Sequence, residues 1–252
     1  MLQLLATLAM EPPVSLDADA LRDEKLKVLR SLAVPRAGGR DSDLVIGQYV
    51  NGHFEGRPVP GYRREPGVAP ASMTESFVAF RTEVRTWRWA GVPFLLRTGK
   101  RMPQRFAEIA VQFREVPLPL YKAMGGQWAG NRLVVRLQPE DRLQLHLLAK
   151  APGQRDRLQP VKLNLDFFDA WRIPVRDAYE RLLTDILRGR LSLFLRRDEV
   201  EAQWVFIDRL CAEIHEAGLE PLPYAAGTYG PPEATALAAR AGAVWSEALA
   251  SI

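Results

Sequence analysis

The chain has 252 residues, 47 % of them hydrophobic, with 34 Lys and Arg against 30 Asp and Glu and a formal net charge of +4. That is enough apolar material for one large domain or two small ones, and the single Cys211 excludes an internal disulfide framework and suits a reducing cytosol. The cations are interspersed with acids and form no tract, so nothing in the charge calls for nucleic acid as a partner.

Residues 1–10, MLQLLATLAM, place Leu2, Leu5, Leu8 and Ala9 at helical spacing, and Pro12-Pro13 stops the helix. The segment has no basic start or small-residue cleavage site and is too short to cross a bilayer, so neither a leader nor a membrane span is expected. Its apolar face is already running at the first residue, with no capping residue before it. The chain is therefore expected to begin inside an element. A second helix is predicted over Asp19–Leu32, with Leu21, Leu26, Val28, Leu29 and Leu32 on one side. A Gly- and Pro-rich passage follows, broken by one short strand, LVIGQYV.

From residue 73 to 168 the period is two: EIAVQF, RLVVRLQ with Leu133, Val135 and Leu137, RLQLHLL with Leu143, Leu145 and Leu147, and VKLNLDF with Val161, Leu163, Leu165 and Phe167. Turn signals stand between them at Met124-Gly125-Gly126, Pro139-Glu140-Asp141 and Ala151-Pro152-Gly153. One oily and one polar face per strand predicts antiparallel pairing, because parallel strands buried on both faces read as unbroken apolar runs. In RLVVRLQ the same alternation puts Arg136 and Gln138 together on the side away from the leucines. DAYERLLTDILRG and RRDEVEAQWVFIDRLCAEIHEAG then predict two helices closing at Gly189 and Gly218. The fold class expected is α+β: a large, mostly antiparallel sheet with helices packed on one face.

Chemistry is harder to find. LLRTGKRMPQR sets Arg97, Lys100, Arg101 and Arg105 around a Thr-Gly turn at the end of the apolar run VPFLL, and such a cluster is either a solvated turn or a seat for an anion, phosphate above all. His53, His146 and His215 fall in a loop, a strand and a helix without ligand spacing, so no metal is expected. No G-x-S-x-G, H-E-x-x-H or P-loop is present, and neither Gly38-Gly39 nor Gly125-Gly126 stands between a strand and a helix. The tryptophans, Trp87 and Trp89 among them, are expected in the core. Composition and periodicity end at an α+β domain with a cationic turn.

A resemblance goes further. LQLLATLAMEPP, RDEKLKVLRSL, GYRREPGVAPASMTESFVAF, WAGVPFLLRTGKRM, LVVRLQPED, DAYERLLTDILRG, LFLRRDEVEAQW and YAAGTYGP occur in an order that resembles the C-terminal domain of glucose-6-phosphate dehydrogenase, of the bacterial type, from residue 1 to about residue 245. The resemblance implies that residues 1–252 are the substrate-binding and dimerisation part of an enzyme that passes a hydride from C1 of glucose 6-phosphate to NADP, in the cytoplasm, as a homodimer through its sheet. It also implies that the N-terminal dinucleotide-binding domain, the sugar-phosphate segment and the histidine base would precede Met1. The chain alone is then expected to be inactive, since hydride transfer needs both a proton acceptor and an aligned nicotinamide.

By the same resemblance Lys100, Arg105 and Gln138 match substrate-binding positions. Lys100 suits sugar hydroxyls or phosphate oxygens and Arg105 a phosphate. Animal relatives add a structural NADP site, but here Phe106 and Ala110 stand where cations would be needed, so none is expected, and Arg97 and Arg136 are expected to pair with carboxylates. Two other readings remain open: a non-catalytic paralogue or scaffold that dimerises with the complete enzyme, and a nucleic-acid binder, against which the mixed charges argue.

Overall fold

The computed structural model describes residues 1–114, 130–150, 152–153, 158–171, 178–192 and 194–246. The turn expected at Met124–Gly126, Ala151, Asp177 and the tail from residue 247 lie outside them. The chain divides into two units, Met1–Gln104 with Ala178–Ile252, and Arg105–Asp177. The first begins with α1 (Leu2–Ala9), α2 (Ala18–Arg30), β1 (Leu44–Val50), β2 (Gly52–Phe54), β3 (Arg57–Val59), β4 (Phe77–Glu83) and β5 (Pro93–Gly99). The second holds β6 (Ala107–Gln112), β7 (Arg132–Gln138), β8 (Arg142–Lys150), β9 (Leu158–Asp166) and α3 (Phe167–Trp171). The first unit resumes with α4 (Ala178–Leu187), α5 (Arg197–Glu216), β10 (Leu222–Ala225) and α6 (Pro232–Arg240).

The α+β class stands, and its strands are hydrogen-bonded as two four-stranded sheets and the β2–β3 hairpin. In the first unit the order is β10-β1-β4-β5, antiparallel except where β10 runs parallel to β1. LVIGQYV has few polar positions because both its faces are covered. Leu44 and Ile46 point with Phe80 and Leu96 into a core filled by Leu2, Leu5 and Ala9 of α1, Val28 and Leu29 of α2, and Phe206 and Leu210 of α5. Val45 and Tyr49 point the other way, with Phe77, Ala79 and Tyr224, onto Ala234 and Leu237 of α6. Helices thus lie on both sides of this sheet, and α6, like the short α3 of the second unit, lies beyond the helices expected.

Helix ends follow their sequence. α1 opens on Met1 with no side-chain cap, while Asp17 caps α2 by accepting from the Ala20 amide. α2 and α5 are joined by Lys25, whose ammonium lies 2.9 Å from the fully buried carboxylate of Glu199. Glu199 also accepts the Arg196 amide at the head of α5 at 2.8 Å, and Arg22 donates to the Leu191 and Phe194 carbonyls at 2.6 and 3.1 Å. Trp87 is a correction: its ring is fully exposed in the turn between β4 and β5, because that turn leaves the sheet before the indole can reach it. Trp89, in the same turn, is half-buried and donates to the Ala9 carbonyl at 2.8 Å.

In the second unit each strand pairs antiparallel with the next. The registers Leu133↔Leu145↔Leu163 and Val135↔Leu143↔Leu165 gather the oily positions on one face, as the alternation predicts, and Arg132↔His146↔Lys162 and Val134↔Gln144↔Asn164 on the other. No helix among the described residues is long and apolar enough to cross a membrane.

Candidate functional site

β5 closes at Gly99, which pairs with Phe77, and a Cβ there would sit 2.7 Å from the Phe77 ring. The strand therefore ends on a residue without a side chain, and Lys100 follows, exposed to solvent. The Lys100 amide donates to the Ser76 carbonyl at 2.8 Å, and its carbonyl accepts from the Tyr224 hydroxyl at 2.7 Å. Arg101 turns the chain with φ +53°, in the left-handed region that non-glycine residues seldom occupy, and its carbonyl accepts the Gly227 amide at 2.7 Å.

The four cations of LLRTGKRMPQR are sorted by their surroundings. Arg97 lies 4.4 Å from the Trp245 ring centroid and 5.6 Å from that of Tyr229, so aromatic faces hold it. Arg101 pairs with Glu65 at 2.9 Å, and Glu65 also accepts from the Tyr49 hydroxyl at 3.1 Å. These two hydrogen bonds, that of Arg101 first, hold the Glu65 carboxyl below the usual carboxylate range. Lys100 and Arg105 have no ion pair among the described residues. They are the cations of this stretch that remain open to an anion.

Arg105 and Gln138 belong to the second unit, and Lys100 to the first. Gln138 pairs with Ala107 across the β6–β7 ladder, where the register shifts between Ala107 and Glu108. Arg105 stands two residues before Ala107, so the pairing brings Arg105 and Gln138 to the same end of that ladder, both exposed. Next to them Arg136 pairs with Glu108 at 2.9 Å, as expected, and lies 5.4 Å from the Phe106 ring centroid. Burial first, then Lys162 and Arg132, depress the His146 imidazole. Sequence reasoning gave no role to Glu65, Ser76 and Tyr224, although GYRREPGVAPASMTESFVAF and YAAGTYGP contain them, because nothing in the strings shows that they meet Lys100. Among the described residues no three His, Cys, Asp or Glu side chains are grouped to hold a metal.

A family model described as the C-terminal domain of glucose-6-phosphate dehydrogenase matches residues 1–246. The chain is 47 % identical over 245 residues to the glucose-6-phosphate 1-dehydrogenase of Mycolicibacterium smegmatis, covering 97 % of this chain and 49 % of that enzyme. It is 45 % identical to the Rhizobium meliloti enzyme, covering 98 % and 50 %. Among solved structures, the Mycobacterium avium enzyme superposes with a TM-score of 0.78 at 33 % identity over 98 % of this chain and 48 % of its own. A glucose-6-phosphate dehydrogenase in complex with its substrate glucose-6-phosphate superposes with a TM-score of 0.83 at 32 % identity over 97 % and 49 %. The chain thus spans about half the length of the relatives it matches. With its strands, its helices and the Lys100 turn all inside the matched residues, it belongs to the glucose-6-phosphate dehydrogenase family, through that family's C-terminal domain.

Proposed function

We propose that the chain is the sugar-phosphate-binding part of a glucose-6-phosphate dehydrogenase, and that Lys100 binds glucose 6-phosphate. The observation that carries this reading is an exposed ammonium, without an acidic partner among the described residues, on a turn whose backbone is fixed on both sides. An anion meeting such a group gains charge-assisted hydrogen bonds and displaces no carboxylate. Arg105 and Gln138 are proposed, each separately, as further substrate contacts. A guanidinium grips two phosphate oxygens at once, and a carboxamide serves a hydroxyl as donor or acceptor. The solved relative bound to glucose-6-phosphate supports the choice of ligand.

The reaction assigned to the family member is oxidation at C1 of glucose 6-phosphate to the lactone, with NADP as hydride acceptor, in the cytoplasm and in the pentose phosphate pathway. The described residues do not fit the dinucleotide. Gly38 and Gly39 lie between a helix and the strand after it, so they lack the strand-to-helix order in which amides and a helix N-terminus receive a pyrophosphate. No step involving the nicotinamide is assigned to this chain, and alone it is expected to be inactive.

Calorimetric titration of the chain with glucose 6-phosphate tests the reading. Lys100→Ala is expected to raise Kd at least about tenfold, the worth of one charge-assisted hydrogen bond. An unchanged Kd refutes the role of Lys100, and NADPH formation by the chain alone refutes its inactivity. A homodimer formed through the second unit's sheet is proposed as well. It is supported by Val161, Leu163 and Leu165, which alternate along β9 at 38 %, 59 % and 38 % exposure.

A further inference from the structure

We infer that Tyr224 and Glu65 are positioning residues for Lys100, the first fixing where its side chain starts and the second reserving the anion for it. The inference rests on the proposed role of Lys100. Tyr224 is 3 % exposed, and its ring packs against those of Phe77 and Tyr49 at centroid distances of 5.5 and 6.3 Å. A phenylalanine would fill that space equally well. What the hydroxyl adds is a hydrogen bond to the Lys100 carbonyl at 2.7 Å, with Ser76 Oγ at 3.2 Å and the Ser76 carbonyl at 3.3 Å beside it. The Ser76 carbonyl is also the acceptor of the Lys100 amide. Both polar backbone atoms of Lys100 thus end at the same small group of oxygens.

The next residue explains why a clamp is needed. Arg101 sits in the left-handed region, and a residue held there relaxes unless its neighbours over-determine it. Its carbonyl is taken by the amide of Gly227, whose φ of +87° and close approach to the His53 carbonyl, 1.9 Å from where a Cβ would stand, admit no side chain. Tyr224 and Gly227 therefore grip two successive carbonyls, one on each side of the strained φ. Glu65 holds the Arg101 guanidinium through a 2.9 Å ion pair, itself buttressed by Tyr49. Of two adjacent cations, one is neutralised and the other is offered to solvent.

The test compares the chain with its Tyr224→Phe, Glu65→Gln and Lys100→Ala variants and with the double variants carrying Lys100→Ala. It reads amide 15N relaxation of residues 98–102 and titration with glucose 6-phosphate. Tyr224→Phe is expected to loosen the Lys100 and Arg101 amides and to raise Kd about fivefold to tenfold. That increase should vanish in the Lys100→Ala background, because the hydroxyl acts through the lysine. Glu65→Gln, on a half-buried side chain outside the core, is expected to release Arg101 to meet the anion, so that Lys100→Ala costs less affinity in that background than in the parent. It decides the matter if Tyr224→Phe does not fold, and an undiminished cost overturns the role of Glu65. Amides that stay as rigid as in the parent, or affinity losses that persist in full without Lys100, overturn the inference. If Lys100→Ala leaves Kd unchanged while the amides still loosen, the substrate role of Lys100 fails and the clamp on the turn stands.

Discussion

Lys100 and Arg101 are neighbours of the same charge, and what separates them is one carboxylate on another loop. Glu65 turns Arg101 into half of an ion pair, while nothing acidic among the described residues meets Lys100. His146 shows the opposite arrangement. Its register partners are Arg132 and Lys162, and burial together with these two cations lowers its imidazole. The folded state then binds a proton less readily than the unfolded state. Stability from this group is full above the ordinary imidazole value of about 6.5, falls as pH drops through it, and levels off below the folded value. Thermal melts between about pH 8 and pH 5 should show that decline in the parent and a flatter profile in His146→Gln. Parallel profiles would remove His146 as its source.

At the scale of elements, the α2–α5 contact turns on a charge with no access to water. Lys25→Met leaves the Glu199 carboxylate buried without its cation and is expected to cost about 3–5 kcal/mol in urea unfolding. Adding Glu199→Gln should recover much of the loss, since the neutral amide needs no cation and can still accept the Arg196 amide. A double variant as unstable as Lys25→Met would show that the helix contact fails for another reason. The elements legible in the sequence are those that carry a local pattern of their own, the short apolar run of β1 among them. Alternation placed β6 to β9, 3.6-residue spacing placed α1 and α2, and closing glycines marked α4 and α5. β10 escaped because LPYA is only four residues long and owes its strand to β1, far earlier in the chain. α6 escaped because Leu237 is the one large side chain it buries, beside Ala234 and Ala238, which are too small to stand out as an apolar stripe. The site was legible in the same uneven way. A glycine-ended strand followed by cations announced Lys100, but Tyr224 reaches it from 124 residues away, a contact that only tertiary structure creates.

For the whole molecule, the proposed homodimer draws on the second unit's oily sheet face. Leu163, the most exposed of the three β9 positions, is the one to change. Leu163→Lys is expected to shift the chain from dimer to monomer in sedimentation velocity, because a buried ammonium at a subunit contact has no acidic partner to meet it. A parent chain that sediments as a monomer, or a variant that still dimerises, would refute the sheet as the interface.

The parallel pairing of β10 with β1 also has a bearing on how the polypeptide is born. Residues 105–177 form one uninterrupted stretch in which each strand pairs with its successor, so a ribosome delivers that sheet ready to zip. β1 finds β4 soon after synthesis but keeps its other edge open until residues 222–225 emerge. Through that interval LVIGQYV, covered on both faces only in the finished fold, presents an unpaired edge of the kind that invites wrong pairing.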